Sequence, residues 1–397
     1  MPATGRESHA QVDADVAALA QAIAGFTSRM IIPREAELAR TGDTARNTLA
    51  TLMREARAAG LWGQCYPRSL GGRVSSFVDY VTLAEREGYS EYGPAVFGAR
   101  ATLDLHMLAR HAGADVRARW LAPLAAGEVL GAYAMTEPDA PGSIPATLGT
   151  RAVLRDGQWI IDGRKWFISR AADAAFVTVV ARTDTDAPLE RSLSLFVVPA
   201  DTPGFACERE PSVFGRALGQ GELAFRGVAV PPSHMLGAPG DGLALIRERL
   251  ALGRTLNAAH WVGLAQRCYD LMCARIGSPR GQRAQLAYKQ LVRQHVYEVH
   301  QLLAHARARV HAAAASNGDT LAVNLAKLAA SRALNSAADA AVQIHGAEGV
   351  SDATPLASIF ALARTTRILD GADEALVSSC GQQLLDAYRA SAPEMSS

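Results

Sequence analysis

Near the end of the chain the segment RILDGADEAL, Arg367–Leu376, sets three carboxylates, Asp370, Asp373 and Glu374, within five residues beside a glycine. Two chemistries fit that pattern. A carboxylate held on a turn can act as a general base, provided the substrate proton comes within hydrogen-bond reach. The same acids, running into the apolar Ala375, Leu376 and Val377, also read as a helix N-terminus, where a carboxylate caps free N–H groups and further acids complement the dipole. Taken alone, the segment reads better as a cap than as a base, because capping boxes are far commoner than active sites.

Three more blocks hold residue types that can do chemistry. They are AYAMTEPDAPGS at Ala132–Ser143, GRKWFIS at Gly163–Ser169 and QIHGAEG at Gln343–Gly349. GRKWFIS also reads as an ordinary strand with one buried and one wet face. QIHGAEG follows a helical pattern, so Gly346 reads as a C-cap or as a turn whose N–H groups can approach a pyrophosphate. His345 has no metal-ligand partner at a useful spacing and reads as structural.

The elements that must position these blocks fall into three regions. Residues 1–130 are alanine-rich and helix-forming, as in ARNTLATLMREARAAGL, with breaks at Pro67, Gly71, Gly72 and Gly93-Pro94. Residues 131–238 change texture: GTRAVLRDGQWIIDGRKWFIS alternates and carries two Asp-Gly pairs, and FVTVVART, SLSLFVVPA and GELAFRGVAVP are short β-rich runs. From 239 to 397 helical spacing returns, as in Leu321, Leu325, Leu328, Leu334, Ala338 and Ala341. The expected class is α+β, ordered helices, sheet, helices.

At 397 residues with 49% apolar content, the chain can build more than one core. Forty basic and thirty-nine acidic residues leave a net charge of +1, which gives no field for nucleic acid or an anionic membrane. The five scattered cysteines lack metal-site spacing and fit a reducing, cytoplasmic setting. No uncharged stretch approaches the ~20 residues of a membrane span, and the N-terminal residues lack the apolar core of a signal peptide.

Taken together, Thr-Glu-Pro at 136–138, GRKWFIS, QIHGAEG, YPRSLGG at 66–72, LFVVP at 195–199 and VAVPPSHMLG at 228–237 resemble the acyl-CoA dehydrogenase family over nearly the whole chain. That resemblance implies a helical N-terminal domain, a middle β domain and a C-terminal four-helix bundle. It implies FAD, with Tyr133, Met135, Thr136, Phe167 and Ser169 at the flavin and Ser143 near the flavin–substrate boundary. It also implies a homodimer or homotetramer in which Arg280, Gln343 and Gly346 reach a neighbour's cofactor.

The sequence departs from the family at several of these positions. Gln282-Arg283 replace an aromatic-glycine pair, Ala347 replaces a glycine, and Ile144 replaces an aspartate. Leu369-Asp370-Gly371 stands where most members have Tyr-Glu-Gly, and resembles the subset with Asp-Gly-x-Asp-Glu. The alternative base position, just before Arg254, is Gly253, which leaves Asp370 as the base that the resemblance implies.

The implied reaction is α,β-dehydrogenation of an acyl thioester on coenzyme A or an acyl carrier protein, with electrons passed to a flavoprotein or to oxygen. Two other readings stay open. One is a nitroalkane-oxidase-like or hydroxylase-type flavoenzyme on the same fold, and the other is a flavin-free scaffold.

Overall fold

The β-rich runs of the middle region each find strand partners. The computed structural model describes residues 4–40, 42–74, 76–142, 144–216 and 219–391. Its eight strands are β1 Leu130–Ala134, β2 Arg151–Arg155, β3 Gln158–Ser169, β4 Ala174–Arg182, β5 Leu193–Pro199, β6 Phe205–Arg209, β7 Gln220–Val230 and β8 Met235–Leu236. They form one sheet in the order β6-β7-β3-β2-β4-β5-β8, with β1 parallel to β4. Every residue of β5 and the run Phe176–Ala181 of β4 are buried, which is why these strands are apolar without alternation.

The two Asp-Gly pairs do different things. Asp156-Gly157 joins β2 to β3 with φ of 48° and 76°, the doubly left-handed turn that matches strand twist. Asp162-Gly163 makes no turn. It lies inside β3, where the register with β7 slips and a Cβ on Gly163 would sit 2.4 Å from Thr150 Oγ1.

The longer helices are α1 Thr4–Phe26, α2 Asp43–Ala58, α3 Phe77–Glu87, α4 Thr102–His111, α5 Ala114–Ala125, α6 Gly242–Gly277, α7 Gln290–Ala315, α8 Thr320–His345, α9 Leu356–Thr366 and α10 Asp373–Ser391. Two compact units result. One is Gly63–Arg73 with Gly98–Leu250, which holds the sheet; the other is Met1–Trp62, Val74–Phe97 and Ala251–Ser397. The architecture is α+β: a helical N-terminal region, a middle sheet, and a C-terminal helical domain built on α6, α7, α8 and α10.

Within the sheet unit, Trp120 of α5 packs its ring 5.0 Å from that of Phe176 in β4. Within the helical unit, α3 and α6 touch backbone to backbone. A Cβ on Gly88 would lie 2.2 Å from His260 O, and one on Gly263 would lie 2.0 Å from Glu85 O. The α8 helix starts at the cap Asp319, whose side chain accepts from Ala322 N, and buries small residues against α7, α9 and α10.

The helical run Asp15–Leu38 is long and apolar enough to cross a bilayer by length and composition. Arg29 and Arg34 interrupt it, and Ile23 and Ile31 are fully buried within the helical unit.

Candidate active site

Asp370 does not cap α10. The chain leaves α9 with Ile368 N and Leu369 N both donating to Thr365 O, then passes through left-handed backbone at Asp370 (φ 56°) and Gly371 (φ 104°). The helix proper begins at Asp373, and the first α-helical acceptor is Ala372 O, bonded by Leu376 N. Aspartate tolerates this region better than most residues, and Gly371 follows it because its own φ favours glycine.

The three carboxylates of the segment take three different roles. Asp373 is buried: Lys327 Nζ donates to it at 2.7 Å, and Ser331 and Arg367 lie at 3.4 and 3.5 Å. Glu374 is exposed and pairs with Arg367. Asp370 is half-buried, and its Oδ2 accepts from Asn257 Nδ2 at 2.5 Å.

Two cations hold the backbone beneath Asp370. Arg254 Nε donates to Asp370 O at 2.6 Å, and Lys327 Nζ donates to Gly371 O at 2.7 Å. Arg254 is itself oriented by Asn324 Oδ1, 2.9 Å from Nη1. Burial pulls Arg254 below its ordinary value while Asp370 opposes the shift; burial likewise lowers Lys327, opposed by Asp373.

In the sheet unit, Tyr133, Met135 and Thr136 lie on β1 and its exit, and Phe167 and Ser169 end β3. Thr136 joins the two segments: its Oγ1 donates to Trp166 O at 2.7 Å, and Trp166 N donates to Thr136 O at 3.0 Å. Glu137 anchors the turn behind them, accepting from Gly149 N (2.7 Å), Thr150 N (3.0 Å) and Lys165 Nζ (2.8 Å). Lys165 also donates to Met135 O at 2.9 Å. Burial pushes this lysine down to about 8 against the pull of Glu137. Burial acts to raise the Glu137 carboxyl, but Lys165 and the amide donors hold it below its ordinary value.

Phe167 has φ 51° where the β3–β7 register shifts between Lys165 and Ile168, and its residue is 45% exposed. The bulge turns this ring out of the core, edge-on to Trp166 at 5.0 Å. Ser169 is exposed at the end of the strand. The Tyr133 ring lies under the guanidinium of Arg249, 4.4 Å from its centroid. Burial raises the Tyr133 hydroxyl, opposed by Arg249. Arg249 pairs with Asp104 Oδ1 at 2.7 Å, and Arg170 meets Asp104 Oδ2 at 3.3 Å. Phe167 and Ser169 are thus both exposed at the end of β3, and an aromatic ring and a hydroxyl are residue types that suit a flat ring with polar edges.

In the helical unit, Gly346 (φ 66°) closes α8, its N–H directed to Val342 O and Gln343 O, and Gln343 is exposed. Arg280 lies on the short helix Pro279–Arg283 and is joined to Glu348 of the turn, which also takes Arg275 Nη1 at 3.0 Å. Glu348 thus ties Arg280 to the Gln343–Gly349 turn. Ala347 is absent from the positive-φ positions, so a side chain there brings no backbone strain. Gly349 has no such freedom, since a Cβ would lie 2.6 Å from Val342 O. His345 is buried with Nδ1 2.8 Å from Ala341 O. Ser143 lies outside the described residues. A groove of about 660 Å3 along α1, lined by Gln21, Gly25 and Arg29 among others, contains none of these residues.

The sequence matches three family patterns in chain order: Acyl-CoA dehydrogenase, N-terminal domain, over 13–128; middle domain over 132–228; and C-terminal domain over 240–385. The protein called Probable acyl-CoA dehydrogenase FadE2 of Mycobacterium tuberculosis is 34% identical over 345 residues, 83% of this chain and 84% of that protein. The chain belongs to the acyl-CoA dehydrogenase family. Acyl-CoA dehydrogenase family member 11 of Mus musculus is 31% identical over 395 residues, 91% of this chain but 49% of that protein. The chain thus spans about half the length of that relative. A solved structure assigned to the acyl-CoA dehydrogenases, from Mycobacterium abscessus, superposes with a TM-score of 0.86 at 30% identity, covering 94% of this chain and 99% of the other.

Nothing in the sequence of this acyl-CoA dehydrogenase family member points to Asn257, Lys327, Arg249 or Asp104. Their partners lie 113 residues away for Asn257–Asp370, 46 for Lys327–Asp373 and 145 for Arg249–Asp104. Such pairs are specified by helix packing, with no local motif to mark them.

Proposed function

We propose that the chain catalyses FAD-dependent α,β-dehydrogenation of an acyl thioester, with Asp370 removing the α-proton. The setting of Asp370 supports this reading best. The neighbouring Asp373 is buried among cations and a hydroxyl, as a structural acid should be. Asp370 is half-buried, caps no helix, and has its carbonyl and one carboxylate oxygen held from α6. Its segment Asp-Gly-Ala-Asp-Glu resembles the family subset with Asp-Gly-x-Asp-Glu, which supports the same reading.

FAD, when bound, would accept the hydrogen that leaves the β-carbon with its electron pair. Tyr133, Met135, Thr136, Phe167 and Ser169 would hold the ring, and Ser143 would border it and the substrate. Arg280, Gln343 and Gly346 would reach the diphosphate of a neighbour's cofactor in a homodimer or homotetramer, with Glu348 sharing Arg280. The thioester oxygen, where enolate charge develops as Asp370 takes the proton, needs fixed donors. The carrier is coenzyme A or an acyl carrier protein, the acceptor a flavoprotein or oxygen, and the setting cytoplasmic.

One observation favours a second reading, nitroalkane oxidation on the same fold: the acid is Asp rather than the longer Glu, and carbon acids beside a nitro group are far more acidic. Anaerobic titration of the purified yellow protein with butyryl-CoA, octanoyl-CoA and nitroethane separates the two. Bleaching by a thioester supports the first reading, and bleaching by nitroethane alone replaces it with the second. A colourless protein that takes up no added FAD overturns both and leaves a scaffold.

A further inference from the structure

We infer that Asn257 is a positioning residue that selects which oxygen of Asp370 receives the substrate proton. The inference rests on Asp370 being the base. Its grounds are the contacts that α6 makes to one residue.

Arg254 and Asn257 stand three positions apart on α6 and so share a face. The first donates to the backbone carbonyl of Asp370 at 2.6 Å, and the second donates to Oδ2 of its side chain at 2.5 Å. The terminal torsion of an aspartate is broad and nearly two-fold, so its two oxygens exchange easily unless one is held. The amide holds Oδ2, and Oδ1 becomes the acceptor. An aspartate is one methylene shorter than a glutamate, and a misplacement of about 1 Å can cost 100-fold in rate, so a short base needs this second attachment more than a long one.

The type of residue at 257 also fits. Two cations already face the loop: Arg254 from α6, bonded to a carbonyl and to the neutral Asn324, and Lys327 from α8, paired with Asp373. On the loop itself Arg367 pairs with Asp373 and Glu374. A third cation at 257 would stabilise the carboxylate further and weaken it as a base, and an acid there would compete with it for a proton. An amide orients the carboxylate without adding net charge.

The test compares Asn257→Leu, which keeps the size and removes the donor, with Asn257→Asp and Asp370→Asn. For each FAD-loaded protein, the rate of flavin bleaching by butyryl-CoA and octanoyl-CoA is followed against concentration and pH. Independently of turnover, the Asp370 carboxylate is titrated by isotope-edited infrared spectroscopy, with Asp370→Asn as the blank.

In Asn257→Leu the saturating rate should fall about 10- to 100-fold with little change in the half-saturating concentration. Both the acid limb of the rate profile and the carboxylate titration should move to higher pH, because a donor to the ionised form is gone. Asn257→Asp should move them further in the same direction. A merely structural asparagine would lower melting temperature or FAD content and leave the limb in place.

Superimposable titrations and unchanged saturating rates in Asn257→Leu would overturn the inference, even with Asp370→Asn inactive. If Asp370→Asn bleaches at the unsubstituted rate, the base assignment fails and this inference with it. If neither thioester bleaches the unsubstituted protein, the infrared titration alone decides whether Asn257 holds the carboxylate, and an unmoved titration overturns the inference.

Discussion

Phe167 and Asp370 both stand on left-handed backbone, at φ 51° and 56°. For Asp the conformation is tolerable; for a bulky aromatic it is an outlier costing on the order of 1–2 kcal/mol. Phe167 also leaves almost half its surface exposed, so it recovers little of that cost by burial in the single chain. Phe167→Gly should therefore change the free energy of unfolding by less than about 1 kcal/mol, relief of strain offsetting lost contacts and strand entropy. The same change should weaken FAD retention, measured by cofactor content after gel filtration. A second residue-scale expectation concerns Glu137. Its folded carboxyl titrates below the ordinary value of 4.5, so its contribution is present above that value and is lost as pH falls through the lower folded one. Between pH 5 and 3 the melting temperature of Glu137→Gln, already lower at neutral pH, should fall less steeply than that of the unsubstituted chain.

The elements matter because they bring distant residues to one point. Asp104 of α4 receives Arg249 from the first turns of α6 and Arg170 from beyond β3, all within the sheet unit. Breaking a buried pair strands the remaining charge at about 3–5 kcal/mol. Asp104→Asn leaves two guanidinium groups without a carboxylate, whereas Arg249→Met leaves one pair intact. Urea unfolding should thus find Asp104→Asn the more destabilised by at least about 1 kcal/mol; equal losses would contradict the shared-acid geometry. Element by element, the α, β, α texture was legible, because period and turn chemistry are local. One of the two Asp-Gly pairs makes the hairpin that its sequence announces, while the other becomes a bulge against Thr150, which no local pattern shows. The candidate residues on β1, β3 and the Gln343 turn were legible through motifs. Their supports, Lys165 beneath Glu137, Asn257 beside Asp370 and Glu348 on Arg280, are tertiary and were not.

At the scale of the whole molecule, a net charge of +1 leaves association to apolar and local polar contacts. Leu384, Leu385 and Tyr388 of α10, and Leu291 and Tyr297 of α7, are more than half exposed in the single chain. The proposed sharing of a cofactor between subunits makes a joint prediction: diluting the protein until light scattering reports monomers should release FAD in parallel. A monomer that stays fully loaded contradicts the sharing. The central claim is that Asp370 takes the α-proton of an acyl thioester, and anaerobic stopped-flow bleaching of FAD-loaded protein by the thioester that reduces it fastest tests this most directly. Asparagine is nearly isosteric with aspartate, its amide oxygen can still accept from Asn257, and Asp370 caps no helix, so Asp370→Asn removes the base with little structural change. The account predicts retained FAD, an unchanged melting temperature within a few degrees, and a bleaching rate at least ~1,000-fold lower, within the range that general-base catalysis supplies. Bleaching of Asp370→Asn at the unsubstituted rate would contradict it.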